Sequence, residues 1–239
     1  MKKLYEKSQL AFSLVLIALY VVIMSLADDA SFRLRTEKLI TAPVALLMVA
    51  FLVVWLMENR LLSHYGLRKP EADHKKYLYY IPLAILLSAN LWWGVQMNMS
   101  FWETVLYIVS MLCVGFIEEL IFRGFLFKAM CRDNVKWAIA VSSLTFGFGH
   151  IVNLINGADL VPTLLQIAYA VAIGFLFTVI FYRSKSLVLC MAVHGVFNAL
   201  SAFAVTPAIP GQIVTASILT VLPIAYGLWI LGVTEKNEE

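Results

Sequence analysis

The chain has 239 residues, of which 62% are apolar and only 14% are charged. In a soluble domain about half of the residues are apolar and about a quarter are charged. A soluble domain of this length could not bury the larger apolar surface of this chain. A disordered chain is also excluded, since it would combine low hydrophobicity with high charge. The composition therefore predicts a polytopic membrane protein, and the net charge of +3 gives no reason to expect a nucleic-acid partner.

Eight apolar segments follow one another along the chain, and most have roughly the 20 residues that a helix needs to cross a bilayer. At that depth a segment must be helical to satisfy its own backbone polar groups. We therefore predict an all-α, polytopic membrane helix bundle of about eight transmembrane helices, as a single integral-membrane domain over residues 1–239. The predicted spans are Leu10–Ala27, Leu39–Met57, Tyr77–Trp93, Thr104–Phe127, Trp137–Ile155, Thr163–Tyr182, Ser186–Val205 and Ile213–Gly232.

Basic residues are distributed unequally between the two sides of this bundle. With the N-terminus inside, the outer loops hold only Arg33, Arg35 and Lys38. Because cytoplasmic loops are enriched in lysine and arginine, both termini are predicted to be cytoplasmic. The first span is longer than the apolar part of a signal peptide and is expected to remain as an anchor. The inner basic residues are Lys2, Lys3, Lys7, Arg60, Arg68, Lys69, Lys75, Lys76, Lys128, Arg132, Lys136, Arg183, Lys185 and Lys236.

The fourth predicted span carries charged side chains at membrane depth. Glu118, Glu119 and Arg123 interrupt an apolar run that continues to Lys128, although each such charge costs about 2.5–3.5 kcal/mol on insertion scales. Glu119 and Arg123 are four residues apart and can pair along one helix face. Glu118 projects about 100° away and can face a different neighbour. The spacing predicts a structural Glu119–Arg123 pair beside a Glu118 that is available for chemistry.

Two further spans carry histidines. The fifth contains Phe146-Gly-Phe-Gly-His150, and the seventh contains His194 and Asn198, which lie four apart and so share a helix face. At 1.5 Å of rise per residue, these three polar residues and Glu118 fall in one slab near the predicted midplane. Alone, each motif is also compatible with a packed histidine or an interhelical polar clamp. Together, a carboxylate, two imidazoles and an amide are suited to hydrolysing a carbonyl compound.

The three motifs resemble the type II CAAX prenyl protease family, also called the CPBP or ABI intramembrane protease family. The family pattern is Glu-Glu-x-x-x-Arg, then Phe-x-x-x-His, then His-x-x-x-Asn or Asp, and the chain matches it in order between residues 118 and 198. The resemblance implies an eight-helix bundle with its site inside the membrane, and a chain this short is expected to be the form found in a prokaryotic cell membrane. It also implies an intramembrane endopeptidase acting on a membrane-embedded or lipid-anchored substrate, in CAAX-type or peptide-precursor processing.

The resemblance also implies roles for the motif residues. Glu118 would be the general base that activates water, helped by His150, while His194 and Asn198 would stabilise the developing oxyanion. The second glutamate and the arginine of the first motif would support these side chains. A metal-free mechanism is favoured, so that no cofactor is expected. The alternative is a zinc ion held by Glu118, His150 and His194.

Two other classes of function remain open. A non-enzymatic immunity or scaffold protein on the same fold would be expected to lack at least one catalytic position, and none is lost here. A transporter could relay protons through intramembrane Glu and His side chains. It would be expected to show inverted repeats, and residues 1–100 contain no polar motif that matches those of the second half.

Overall fold

The computed structural model describes residues 1–71 and 80–235. Three basic residues of the orientation count, Lys75, Lys76 and Lys236, and the start of the third predicted span lie outside these ranges. The regular secondary structure of the described part is helical, without a β-strand; one isolated antiparallel bridge joins Val95 to Ala204. The prediction of an all-α protein is therefore confirmed.

Eleven α-helices follow one another in the described ranges. A π-helix, Leu120–Phe127, joins the fifth helix to the sixth, and 3-10 turns at Ala89–Leu91 and Ser201–Phe203 extend the fourth and the tenth. The α-helices are α1 Lys2–Lys7, α2 Gln9–Arg33, α3 Thr41–Glu58, α4 Tyr80–Ser88, α5 Phe101–Glu119, α6 Lys128–Cys131, α7 Val135–Gly149, α8 Val152–Ile155, α9 Leu160–Ser184, α10 Val188–Leu200 and α11 Ile209–Glu235.

Six helical segments are long and apolar enough to cross a membrane, and they coincide with six of the predicted spans. They are Gln9–Arg33, Thr41–Glu58, Phe101–Cys131, Val135–Ile155, Leu160–Ser184 and Ile209–Gly232. The third and seventh predicted spans are shorter apolar helices, Ile81–Leu91 and Val188–Phe203. A polytopic membrane bundle is therefore confirmed; the seventh apolar segment is shorter than predicted, and the third is described only from Tyr80 onwards.

The seventh segment is short because the chain turns at both of its ends. Lys185 adopts a left-handed conformation with φ of 57° and ends α9. At the other end, Ala204 is extended, and Pro207 follows three residues later. Apolar composition alone does not indicate these turns, so the predicted span extends through them.

The segment that carries the first motif lies at the centre of the bundle. Helix α5 packs against α3 and α10, and the π-helix packs against α2 and α7. Gly115 and Gly195 allow the backbones of α5 and α10 to touch, since a Cβ atom on Gly115 would lie 2.5 Å from the Gly195 nitrogen. Such close approach at small residues is typical of membrane helices. It brings the end of α5 against the middle of α10.

We expect residue 63, which follows α3, to be cytoplasmic, and residues 158 and 206, at the other end of the bundle, to face outside. Ser63, Ala158 and Thr206 are all exposed, so single cysteines there can react in a Cys131→Ser background. An impermeant thiol reagent should label Ala158→Cys and Thr206→Cys in intact cells, and Ser63→Cys only after permeabilisation. The reverse pattern would show that the predicted orientation is inverted.

Candidate active site

A buried ion pair lies at the centre of the bundle. Arg123 Nη1 donates to Glu119 Oε1 at 3.0 Å, and both side chains are 0% exposed. The guanidinium of Arg123 lies 4.1 Å from the ring centroid of Phe146 and 6.0 Å from that of Phe177. Gly174 leaves room for it, because a Cβ atom there would lie 3.0 Å from Arg123 Nη2. The cation is thus enclosed by aromatic rings, an arrangement that is stronger when water is excluded.

His194 connects this ion pair to Glu118. Its Nδ1 lies 2.8 Å from Glu119 Oε1, and its Nε2 lies 3.5 Å from Glu118 Oε2. Because Glu119 pairs with Arg123 as a carboxylate, it accepts the hydrogen bond and Nδ1 is the donor. The bond fixes the ring with Nε2 towards Glu118. One imidazole therefore contacts both carboxylates of the first motif.

Glu118 lies at the boundary between this core and an open cavity. Its Oε1 accepts a hydrogen bond of 2.6 Å from the hydroxyl of Tyr20 on α2. Its side chain is 14% exposed, whereas that of Glu119 is completely buried. The two adjacent carboxylates therefore share His194 but differ otherwise: Glu119 pairs with a buried cation, and Glu118 contacts a tyrosine and the cavity.

The cavity has a volume of about 420 Å³ and leads away from Glu118. His150 and Asn198 also line it, but His194 does not. It extends to Asp28 and Lys38, which belong to the end of the bundle where α2 finishes and α3 begins. A polar passage thus joins the predicted general base to one end of the bundle.

His150 lies where α7 ends rather than inside a continuous helix. The α-helix stops at Gly149, and two residues of turn precede α8. The Nδ1 atom of His150 lies 3.2 Å from the carbonyl oxygen of Phe146. A hydrogen bond from Nδ1 to this oxygen leaves Nε2 as the nitrogen available to a substrate or a water molecule.

Phe146, the first residue of the second motif, contacts three other motif residues. Its ring packs edge-on against His150 and His194, with centroid separations of 5.3 and 5.6 Å, and it lies beneath Arg123. The sequence analysis gave this phenylalanine no role. Its contacts show that it supports both imidazoles and covers the buried cation.

Asn198 lies one turn beyond His194 on α10 and lines the cavity. Its backbone carbonyl oxygen accepts a hydrogen bond of 2.6 Å from the hydroxyl of Ser201. The two residues were expected to stabilise an oxyanion together, but both nitrogens of His194 face carboxylates. Of the two, only Asn198 is placed beside the space that a substrate would occupy.

Tyr20 was missed by the sequence analysis, although one signal pointed to it. It lies about 16 Å along α2 from Gln9, the depth already assigned to the other polar residues. A tyrosine in an apolar span usually packs, so depth alone does not distinguish it. Its role depends on the contact with Glu118, which is separated from it by 98 residues.

Potential metal ligands do not converge. Across residues 1–71 and 80–235, no group of three His, Cys, Asp or Glu side chains is placed to hold a metal ion. The alternative zinc set of Glu118, His150 and His194 is therefore not assembled in this geometry. The expectation that no cofactor is needed stays a prediction.

The family model of the type II CAAX prenyl endopeptidase Rce1-like proteins matches residues 100–200. The match covers 101 of the 239 residues, so this part of the chain is similar to the type II CAAX protease family. The match contains all three motifs and confirms the resemblance seen in the sequence. No curated protein and no solved structure matches the chain. The similarity to this family supports intramembrane protease activity on a membrane-associated substrate, and the apolar helices are those of an integral membrane protein.

The enclosure of the ion pair predicts that Arg123→Met destabilises the protein. Glu119 would remain buried without its cation, which costs about 3–5 kcal/mol. Unfolding of the purified protein in detergent should therefore begin at a clearly lower temperature or denaturant concentration.

The double variant Glu119→Gln/Arg123→Met is the matched control. It removes both charges and keeps a side-chain oxygen that can accept from His194, so most of the lost stability should return. If the double variant were as unstable as Arg123→Met, the stranded charge would not be the cause.

Proposed function

We propose that this protein is an intramembrane endopeptidase in which Glu118 is the general base that activates water. The position of Glu118 carries this proposal. A general base needs access to the reacting water and a fixed orientation. Access comes from the cavity, and orientation comes from the hydrogen bond of Tyr20 to Oε1 and from His194 beside Oε2.

In the proposed reaction, water in the cavity attacks the carbonyl carbon of the scissile peptide. Glu118 accepts the proton of that water as the new carbon–oxygen bond forms, and then returns it to the nitrogen as the carbon–nitrogen bond breaks. The Asn198 amide donates a hydrogen bond to the oxyanion, which is typically one of the largest contributions to such catalysis. His150, through Nε2, holds the water or the leaving amine.

We assign His194 a positioning role in place of the oxyanion role implied by the resemblance. Arg123 fixes Glu119, Glu119 fixes Nδ1 of His194, and His194 then faces Glu118. A carboxylate that accepts from one ring nitrogen in this way holds the imidazole in one orientation. His194 can therefore keep Oε2 of Glu118 in place beside the cavity during the reaction.

The position of the cavity mouth supports a proposal about the class of substrate. It lies at the end of the bundle that carries Asp28 and Lys38, away from the end that holds α1 and α6. With both termini cytoplasmic, as the basic residues predict, this mouth faces outside. The proposed substrate is therefore a membrane-anchored peptide precursor that reaches Glu118 from the outer side, in preference to a CAAX-type protein.

Glu118→Gln should abolish cleavage while leaving the protein folded, because the amide keeps the shape of the side chain but cannot accept the proton. The assay is proteoliposomes containing a membrane proteome, in which new N-termini are labelled and compared between variants. Tyr20→Phe should slow cleavage about 10- to 100-fold, as expected for a lost hydrogen bond to a charged group.

Glu58→Gln is the control for this test, since Glu58 is exposed and does not line the cavity. It should cleave at the wild-type rate. Wild-type activity in Glu118→Gln would refute the assignment of the base.

The proposed mechanism also predicts that activity needs no metal. Elemental analysis of active enzyme should find well under one zinc per chain, and exhaustive chelation should leave the cleavage rate unchanged. His194→Ala should reduce the cleavage rate without a change in metal content. One tightly bound zinc, lost and restored together with activity, would show that a metal-dependent mechanism is correct.

A further inference from the structure

A second cavity, of about 460 Å³, lies at the opposite end of the bundle from the mouth of the first. It is formed where the helices end: α6 contributes one wall, the end of α9 another, and the chain that follows α3 a third. Phe127, Phe181 and Tyr182 supply apolar and aromatic surface to it. A pocket at the ends of membrane helices lies at the level of lipid headgroups.

Basic side chains from these segments converge on this second cavity. Arg68, Lys128, Arg132 and Lys185 line it, and among its described lining residues Glu71 is the only carboxylate. Lys185 Nζ lies 4.5 Å from the centroid of the Tyr182 ring. The cavity therefore combines a concentration of positive charge with an aromatic wall.

The positive charges of this cavity also affect the pKa of His64, which lies beside them. His64 lines the second cavity, and its carbonyl oxygen accepts a hydrogen bond from Lys128. Burial, together with the charges of Lys128 and Arg132, lowers the pKa of the His64 imidazole. The positive charge in the cavity therefore comes from lysine and arginine.

The walls of the second cavity are held in place by backbone contacts. Leu187 N donates to Gly66 O at 2.8 Å, Glu71 N donates to Ser184 O at 2.9 Å, and Ser186 Oγ donates to Arg68 O at 2.6 Å. Arg68 pairs with Glu71, yet its buried Nε has no hydrogen-bond partner in the described structure. The site is thus preformed and retains an unused donor.

We infer that this second cavity binds the headgroup of an anionic phospholipid. A lipid phosphate offers oxygens that Arg and Lys side chains can bind, and Phe127, Phe181 and Tyr182 offer apolar contacts for the glycerol part of the lipid. Basic pockets between helix ends are typical of lipid headgroup sites. The proposal is independent of the endopeptidase mechanism, because none of the proposed catalytic residues lines this cavity.

The test compares two double variants with the same loss of charge at the same end of the bundle. Arg132→Gln/Lys185→Asn removes two cavity charges, and asparagine tolerates the left-handed conformation of residue 185. Lys2→Gln/Lys136→Gln removes two exposed charges that do not line the cavity. Arg132→Gln alone serves as a second variant that leaves the Lys185 turn unchanged.

Native mass spectrometry of the full chain in detergent measures binding of phosphatidylglycerol and of phosphatidylcholine with the same acyl chains. Wild type should hold one phosphatidylglycerol about tenfold more tightly than phosphatidylcholine. The cavity double variant should bind it about 30-fold more weakly, equivalent to about 2 kcal/mol for two basic residues. Arg132→Gln alone should show about half of this effect in free energy, and the control variant should stay within twofold of wild type.

Three results would overturn the inference. Equal binding of both lipids by wild type would show that headgroup charge is not recognised. An equal loss in the cavity and control variants would show general surface electrostatics. Displacement of phosphatidylglycerol by an equal concentration of inorganic phosphate would identify a site for soluble phosphate instead of a lipid.

Discussion

The candidate site depends on one interaction, the buried pair of Arg123 and Glu119. Two charges at 0% exposure inside an apolar bundle are tolerable only when each one stabilises the other. The structure encloses Arg123 with Phe146 and Phe177 and gives Glu119 a second partner in His194. Because the pair is fixed, the imidazole bound to it is fixed as well, and that imidazole faces Glu118. The buried pair therefore determines, through His194, the orientation of Glu118 beside the cavity.

The backbone is irregular where this arrangement is built. The π-helix begins directly after Glu119 and contains Arg123, α7 ends one residue before His150, and α10 is shorter than a full span. Non-helical backbone at membrane depth is tolerated where it is buried in protein or lines a polar cavity. Every residue of the π-helix is buried, and His150 lines the cavity. π-helical turns are often found at functional sites.

The sequence could predict the parts of this site that follow from local periodicity. The pairing of Glu119 with Arg123 needed only their spacing of four residues, and the common depth of Glu118 and the histidines needed only the rise per residue. The orientation of His194 could not be predicted this way, because it depends on how closely α5 approaches α10 at Gly115. For the same reason Tyr20 was missed, since its contact with Glu118 joins the first long helix to the fifth. Interhelical distance is a tertiary property, and one sequence carries little information about it.

The two cavities divide the bundle into ends with different chemistry. One leads from Glu118 to a mouth with both signs of charge, Asp28 and Lys38, and the other is dominated by Arg and Lys at the end that holds α1 and α6. A peptide substrate contributes backbone donors and acceptors and needs a mixed polar lining, whereas a phosphate needs cations. The packed aromatic cluster of Tyr5, Trp55, Tyr65 and Phe125 belongs to the basic end and lies between the helices there. The two ends are joined by the π-helix, because Phe127 at its end lines the basic cavity and Leu120 at its start directly follows Glu119. Since close-packed interiors deform little and transmit strain, the buried π-helix holds the two sites at a fixed separation.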